Sequence, residues 1–274
     1  MQESYIVWQG KSSKDLGLIC ENVIVSQPEQ KNKILQTAST DNNYIYTTLN
    51  SKNRPFFENR IITVSSYFKY KDLEDKTAKL SEIMNWLYSY NYRNENYIKV
   101  LPDYKNVIWE DCKIENIQQI EKVSAHTIKI IFQFRVNCFS SDTKSQITKS
   151  NELDFTEGQY ALYFTNKGFY TQDYKIILTG ACNYFSIENI NKDILIDIPG
   201  FTEEVVIDFK YKAIIVDGEE KTFNIDYYEL VPGENFFKLE SDGNVEIEFD
   251  VINKYLYSYE EGTKNEIKTE ILID

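Results

Sequence analysis

One histidine, four cysteines, five prolines, ten glycines and no long apolar run in 274 residues each remove a class of function. His126 is the only imidazole, and it opens an apparent strand. A Ser-His-Asp or Cys-His hydrolase would have to be built on it, yet no orienting carboxylate or oxyanion motif accompanies it. Cys20, Cys112, Cys138 and Cys182 are widely scattered, and no two have the close spacing of a zinc knuckle. Free, buried thiols are therefore expected, and no metal site. No Gly-rich phosphate loop is present, so nucleotide chemistry lacks its usual cradle and no cofactor is expected. No stretch approaches the roughly 18 consecutive apolar residues of a membrane span, so membrane insertion is not expected. Met1-Gln2-Glu3-Ser4 carries no basic segment, and Tyr5-Ile6-Val7-Trp8 is too short for a signal core, which predicts a soluble chain made in the cytosol.

What is present points to sheet. Hydrophobic residues make up 42% and charged residues 27%, enough for a packed core. The 21 tyrosines and 16 phenylalanines favour pleated, half-buried surfaces. Charge is unevenly spread: residues 1 to 140 hold 18 Lys and Arg against 16 Asp and Glu, while residues 141 to 274 hold 12 against 27. A negative field repels nucleic acid, so direct, sequence-specific DNA binding is not expected. The plainer reading of the acidic half, a charged surface kept soluble, outweighs a functional one. Carboxylate pairs such as Glu203-Glu204 and Glu219-Glu220 sit beside turns, where solvated charge is the default, so a glycosidase is not favoured. Overall the chain is expected not to be an enzyme. A sugar-binding sandwich is the better alternative, with Tyr and Phe as platforms in the second half, since Trp8, Trp86 and Trp109 all lie in the first.

Along the chain, strands are predicted at Ser4–Gln9 and Leu16–Ser26, then a loop with one short strand over Gln27–Asn43. Ile62, Val64, Phe68 and Tyr70 share one parity across a strand from Asn59 to Lys71. From Leu73 to Tyr90 the period changes: Leu73, Leu80, Ile83, Met84 and Leu87 fall at helical steps, with Asp72 as cap. Two long extended runs, Asn106–Ile120 and Ser124–Phe139, read as one antiparallel hairpin with its tip at Glu121-Lys122. Strands this long exceed the usual five or six residues, so either the hairpin packs wholly in its own sheet or its distal part reaches a neighbouring subunit. Ile114, Ile117, Ile120, Glu121, Lys122 and Val123 are the candidate subunit contact. Ser140–Asn151 is polar and reads as a linker, giving domains 1–143 and 144–274. Beyond it, short strands recur at Tyr160–Thr165, Tyr174–Leu178, Ile194–Ile198, Val205–Phe209, Ala213–Val216, Phe236–Leu239 and Val245–Val251. The turns between them carry Pro-Gly or Asp-Gly, the spacing of a β-sandwich.

Several segments also resemble a known family. Phe68-Lys69-Tyr70-Lys71, the helix around Lys79–Leu87, and the hairpin strand ending near Phe132-Gln133-Phe134 are similar to the N-terminal domain of siphophage distal tail proteins. Asn166-Lys167-Gly168, Val206-Ile207-Asp208 and Leu230-Val231-Pro232-Gly233-Glu234-Asn235 resemble that family's C-terminal galectin-like sandwich. The resemblance implies a mainly β chain, with an α+β ring-forming domain followed by the sandwich. It implies a homo-hexameric hub at the virion tail tip whose lumen passes DNA. Its implied partners are the tail tube protein, the tape-measure protein and the tail-associated tip protein, with a host-surface saccharide as a further candidate. The alternative is a carbohydrate-binding adhesion module of a phage or cell surface.

Overall fold

The structure, a computed structural model, describes residues 4–36, 43–47, 56–88, 96–171, 173–190, 194–221, 229–256 and 264–272. The fold is mainly β, with one α-helix among the described residues. The chain forms two compact units, one running up to Ser141 and the other from Asp142 to Tyr255 together with the strand Glu266–Leu272.

In the first unit the described elements include β1 (Tyr5–Trp8), β2 (Ile19–Val25), β3 (Arg60–Lys69), α1 (Leu73–Tyr88), β4 (Ile98–Leu101), β5 (Lys113–Ser124) and β6 (Thr127–Val136). The main sheet runs β2-β3-β6-β5, all antiparallel. Strict alternation places Ile62, Val64 and Phe68 on β3 beside Ile128, Ile130, Phe132 and Phe134 on β6, all buried, as one core face. Helix α1 supplies Ile83, Trp86 and Leu87 to this core, with Trp86 edge-on to Phe132 at 6.4 Å. From the other side Trp8 packs on Phe134 at 5.3 Å.

The start of α1 is fixed by two carboxylates. Asp72 Oδ1 accepts the Asp75 N–H, and Asp75 Oδ2 accepts the Lys71 N–H. That last bond, ahead of the Lys79 ammonium, holds the Asp75 carboxyl below its ordinary value. The buried stripe is narrower than the heptad spacing predicts. Leu73 is 75% exposed, and Trp86 takes a place in the core. The expected helical residues 89 and 90 lie outside the described residues.

The second unit is a sandwich. Its described strands include β7 (Gln146–Lys149), β8 (Gln159–Asn166), β9 (Tyr174–Asn189), β10 (Ile194–Phe201), β11 (Glu204–Asp208), β12 (Ala213–Val216), β13 (Gly233–Ser241), β14 (Asn244–Val251) and β15 (Glu266–Leu272). One sheet runs β12-β11-β9-β14-β7, the other β10-β9-β13-β8-β15. Strand β9 belongs to both. Its first half, Tyr174 to Ala181, pairs with β11 and β14, and its second half, up to Asn189, pairs with β10 and β13. Between the sheets lie Leu162, Phe164, Ile176, Leu178, Ile187, Ile207, Phe237, Leu239, Ile247 and Phe249, each fully or almost fully buried.

The change of sheet requires glycine. Gly180 has φ 145°, and a Cβ there would lie 2.1 Å from the Asn244 carbonyl oxygen. A Cβ on Gly243 would lie 2.1 Å from the Ala181 oxygen, so two backbones meet here with no room for side chains. Asp242 braces the same corner: its Oδ1 accepts the Asn183 and Tyr184 N–H groups, and its Oδ2 accepts from Asn183 Nδ2. The Asn183 side-chain amide, followed by the Asn183 N–H, holds the Asp242 carboxyl below its ordinary value. A carboxylate depressed in the folded state adds stability that is complete above its unfolded pKa and is lost as pH falls through the folded one. Asp242→Asn is therefore expected to flatten the acid limb of the stability curve, as pH falls below the ordinary carboxylate value of about 4, in thermal melts of the two proteins.

Two buried asparagines explain the motifs that carried the sequence resemblance. Asn235 Nδ2 donates to the Phe164, Val231 and Gly233 carbonyls while its Oδ1 accepts the Val231 N–H, closing the Leu230–Asn235 turn. Asn166 Nδ2 donates to the Phe169 and Val231 carbonyls, and its Oδ1 accepts the Gly168 N–H. The two turns are thus tied through Val231.

The expected linker over Ser140–Asn151 is not free chain. Gln146–Lys149 is strand β7, paired with β14. Asp142 is buried and accepts from Tyr255 Oη, Asn253 Nδ2 and Gln146 Nε2. Burial pushes its carboxyl above the ordinary value, outweighing those hydrogen bonds. The segment is polar because its partners are polar, which a hydropathy pattern reads as solvent.

Candidate assembly surface

Among the described residues the first unit's main sheet ends on two strands with no outer neighbour, β5 and β2. Among the described residues β5 pairs only with β6, and β2 pairs only with β3. An edge strand presents unpaired N–H and C=O groups that can accept another chain.

Strand β5 carries the residues predicted as the contact. Isoleucines at three-residue spacing cannot share one face of a regular strand, whose period is two. The register resolves this: Ile114 lies opposite Phe134, Ile117 opposite Phe132 and Ile120 opposite Ile130, with irregularities between these pairs. Each break adds a residue to β5, as a β-bulge does, and returns the next isoleucine to the core side. The cover ends before the strand does. Ile114 and Ile117 are half-buried, whereas Ile120 is 50% and Val123 53% exposed. Glu121 lies opposite Lys129 and Lys122 opposite Ile128, both exposed on β5.

The predicted tip needs correction. Glu121 and Lys122 lie inside β5, and the chain turns at Ala125 and His126. His126 is therefore a turn residue and does not open the strand. Tyr70 holds the turn, its Oη donating to the Ala125 carbonyl and its N–H to the His126 carbonyl. The first run is also shorter than expected. A two-residue strand at Val107-Ile108 and a positive φ of 52° at Asp111 separate Asn106 from the start of β5 at Lys113.

Sequence reasoning missed the second edge. Strand β2 leaves Ile19 44% and Ile24 55% exposed, and the signal was available in the apolar residues of Ile19-Cys20-Glu21-Asn22-Val23-Ile24. The sheet face opposite the core is polar. Glu21 accepts from Lys129 Nζ at 3.1 Å and from Ser65 Oγ at 3.0 Å, Gln133 donates to Thr63, and Arg135 pairs with Glu115. Hydrogen bonds from Tyr67 and then Lys129 keep the Glu21 carboxyl low, and Glu21 in turn raises Lys129. Opposite charges alternate across this face.

The other candidates are structural. Cys20, Cys112 and Cys138 are buried, and desolvation pushes the Cys20 and Cys112 thiols above their ordinary value. Among the described residues no group of His, Cys, Asp and Glu is arranged to hold a metal ion, and no helix is long and apolar enough to cross a membrane.

The chain is thus a two-unit, mainly β protein with an edge-stranded antiparallel sheet in one unit and a sandwich in the other. The chain shares its fold with the SPP1 Dit (gp 19.1) protein, whose crystal structure is described as a paradigm of the hub adsorption apparatus in phages infecting Gram-positive hosts. The two align with a TM-score of 0.65 at 12% identity, over 93% of this chain and 100% of that one. The resemblance to distal tail proteins read from the sequence is thus met at the level of the fold. No protein-family profile matches the chain, and no curated protein matches it by sequence.

Proposed function

We propose that this chain is a non-catalytic component of a bacteriophage tail tip, a hub ring that joins the tail tube to the adsorption apparatus. The observation that carries the reading is the shared fold with the SPP1 hub protein along nearly the whole chain. The two edge strands of the first unit's main sheet support it physically. A head-to-tail contact, with β5 of one copy on β2 of the next, is heterologous and closes into a ring when the rotation per copy permits. The family resemblance gives that ring as a hexamer whose lumen passes DNA, with tail tube, tape-measure and tip proteins as neighbours.

Light scattering on the purified chain is expected to find an assembly of about 194 kDa, six copies of the 32.3 kDa chain. A monomer at every concentration, with and without the tube protein, would count against the ring. The same preparation is expected to turn over neither peptidoglycan nor oligosaccharide. Turnover abolished by changing one carboxylate would overturn the non-catalytic reading.

A further inference from the structure

The main sheet of the first unit is wider than its cover. Its four strands stand about 4.8 Å apart, and an α-helix with its side chains is about 10 Å across, so one helix shields roughly two strands. Lys79 Nζ donates to the Lys69 carbonyl at the end of β3, and Trp86 packs on Phe132 of β6, so α1 lies over those two. Toward β2 the cover continues with the segment Lys11–Leu16: Lys11 Nζ meets Glu82 Oε1 at 2.9 Å, and Trp86 Nε1 donates to the Trp8 carbonyl. Toward β5 the cover runs out. Ile117 is half-buried, and Ile120, in register with the buried Ile130, is 50% exposed.

Helix α1 turns a second apolar row toward that gap. Leu80 and Met84 stand two residues before and after Glu82, each about 160° round the helix from it at ~100° per residue. With Glu82 directed at Lys11, they therefore point to the β5 side. Leu73 begins the same row a heptad ahead of Leu80 and is 75% exposed, while Leu80 and Met84 are half-buried. The helical period marked these three residues together with Ile83 and Leu87, and only the last two are spent on the core. At the turn end of the gap stand two ammonium groups, Lys76 one turn ahead of Leu80 and Lys122 in register with Ile128. Neither has a carboxylate partner among the described residues.

The gap is thus one helix wide and about 24 Å long beside the 16 residues of α1, with apolar walls and a positive end. A strand would be held by the outer edge of β5 and would leave the gap unfilled. A second copy has no helix to offer, since the one α-helix among the described residues is committed to its own core. We infer that the trough between α1 and β5 takes an amphipathic helix of a different protein, its apolar face on Leu80, Met84 and Ile120 and its carboxylates beside Lys76 and Lys122. The contact goes beyond the hub reading and needs no ring. Ile120 borders both this trough and the β5 edge, so the test leaves it unchanged.

The probe is a helix-forming peptide of about 18 residues made of leucine, alanine and glutamate, with its leucines on one face. Fluorescence anisotropy of the labelled peptide with the full chain is expected to show saturable binding. The same residues in scrambled order should bind roughly tenfold more weakly or worse, and Leu80→Ser with Met84→Ser should weaken binding of the ordered peptide by a similar factor. Lys76→Glu with Lys122→Glu should invert the choice, so that a peptide with lysine in place of glutamate is preferred. This arm decides the matter even where the serine variant folds poorly, because misfolding does not exchange one charge preference for the other. No binding to the parent chain, equal binding of the scrambled peptide, or a preference that does not invert overturns the inference. Light scattering on the same samples keeps the two readings apart. Absent rings with retained binding bear on the hub reading alone, whereas rings that the peptide dissolves would make the trough a contact between copies and overturn the inference.

Discussion

Valine at position 180 is expected to unfold the sandwich unit. The Cβ it adds would lie 2.1 Å from the Asn244 carbonyl and 3.2 Å from the Val245 Cα. Both are backbone atoms of a central strand, so no rotamer change relieves the contact. The φ of 145° is a second obstacle, since side-chain-bearing residues rarely adopt it. Clash and backbone strain together place the cost above about 4 kcal/mol, a large part of the stability of a typical domain. Gly218→Ala is the matched control. Its φ is 82° but no atom lies within 4 Å of the added Cβ, so only the backbone term of about 1 kcal/mol applies. Urea denaturation followed by tyrosine fluorescence separates the two. A Gly180→Val protein that melts like Gly218→Ala would show that β9 does not pass between the sheets as described.

The second large effect concerns assembly. Ile120→Lys with Val123→Lys on β5 is expected to weaken ring formation about 100-fold or more while leaving the monomer folded. Both residues are at least half exposed, so the fold itself loses on the order of 0.5 kcal/mol. Burying such side chains at a contact contributes about 1.5–3 kcal/mol each, and each 1.4 kcal/mol is roughly tenfold in affinity. Ile19→Lys with Ile24→Lys on β2 should produce the same defect from the other edge. Mixing the two variants is the sharper test. Each copy then has one sound edge, so head-to-tail pairing allows dimers and nothing larger. Sedimentation of the mixture that returns full rings, or no dimers, would rule out the β5-to-β2 contact.

Much of the architecture was legible because the residues that make the core also make a pattern. Ile128, Ile130, Phe132 and Phe134 alternate on β6, and all four are buried. Asp72, Glu74 and Asp75 marked the start of α1, and Pro-Gly and Asp-Gly pairs marked the sandwich turns. What was not legible depended on partners far away in sequence. The bulges of β5 are set by its pairing with β6, so its isoleucines showed neither a strand period nor a helical one. The strand expected at Tyr174–Leu178 runs on through Gly180 to Asn189, and only Asn244 on another strand shows why the chain passes Gly180 without a side chain. Ser140–Asn151 reads as solvent-facing because burial by hydrogen bonding leaves no hydrophobic trace. Of the residues expected at a contact, Ile120 and Val123 lie exposed on the edge strand, but the turn falls at Ala125 and His126, four residues beyond the expected Glu121 and Lys122, and the exposed apolar residues of β2 went unrecognised.

Strand β9 also determines how the sandwich can come apart. In many sandwiches one sheet can fray while the other holds, because the sheets are joined only by loops and side chains. Here sixteen consecutive residues, Tyr174–Asn189, are hydrogen-bonded into both. Detaching one half of the strand removes the anchor of the other half at the Gly180 corner. Amide protons of Ile176 and Leu178 in one sheet and of Phe185 and Ile187 in the other should therefore exchange with solvent through the same rare opening. The two halves of β9 should therefore resist a protease together and become cleavable together.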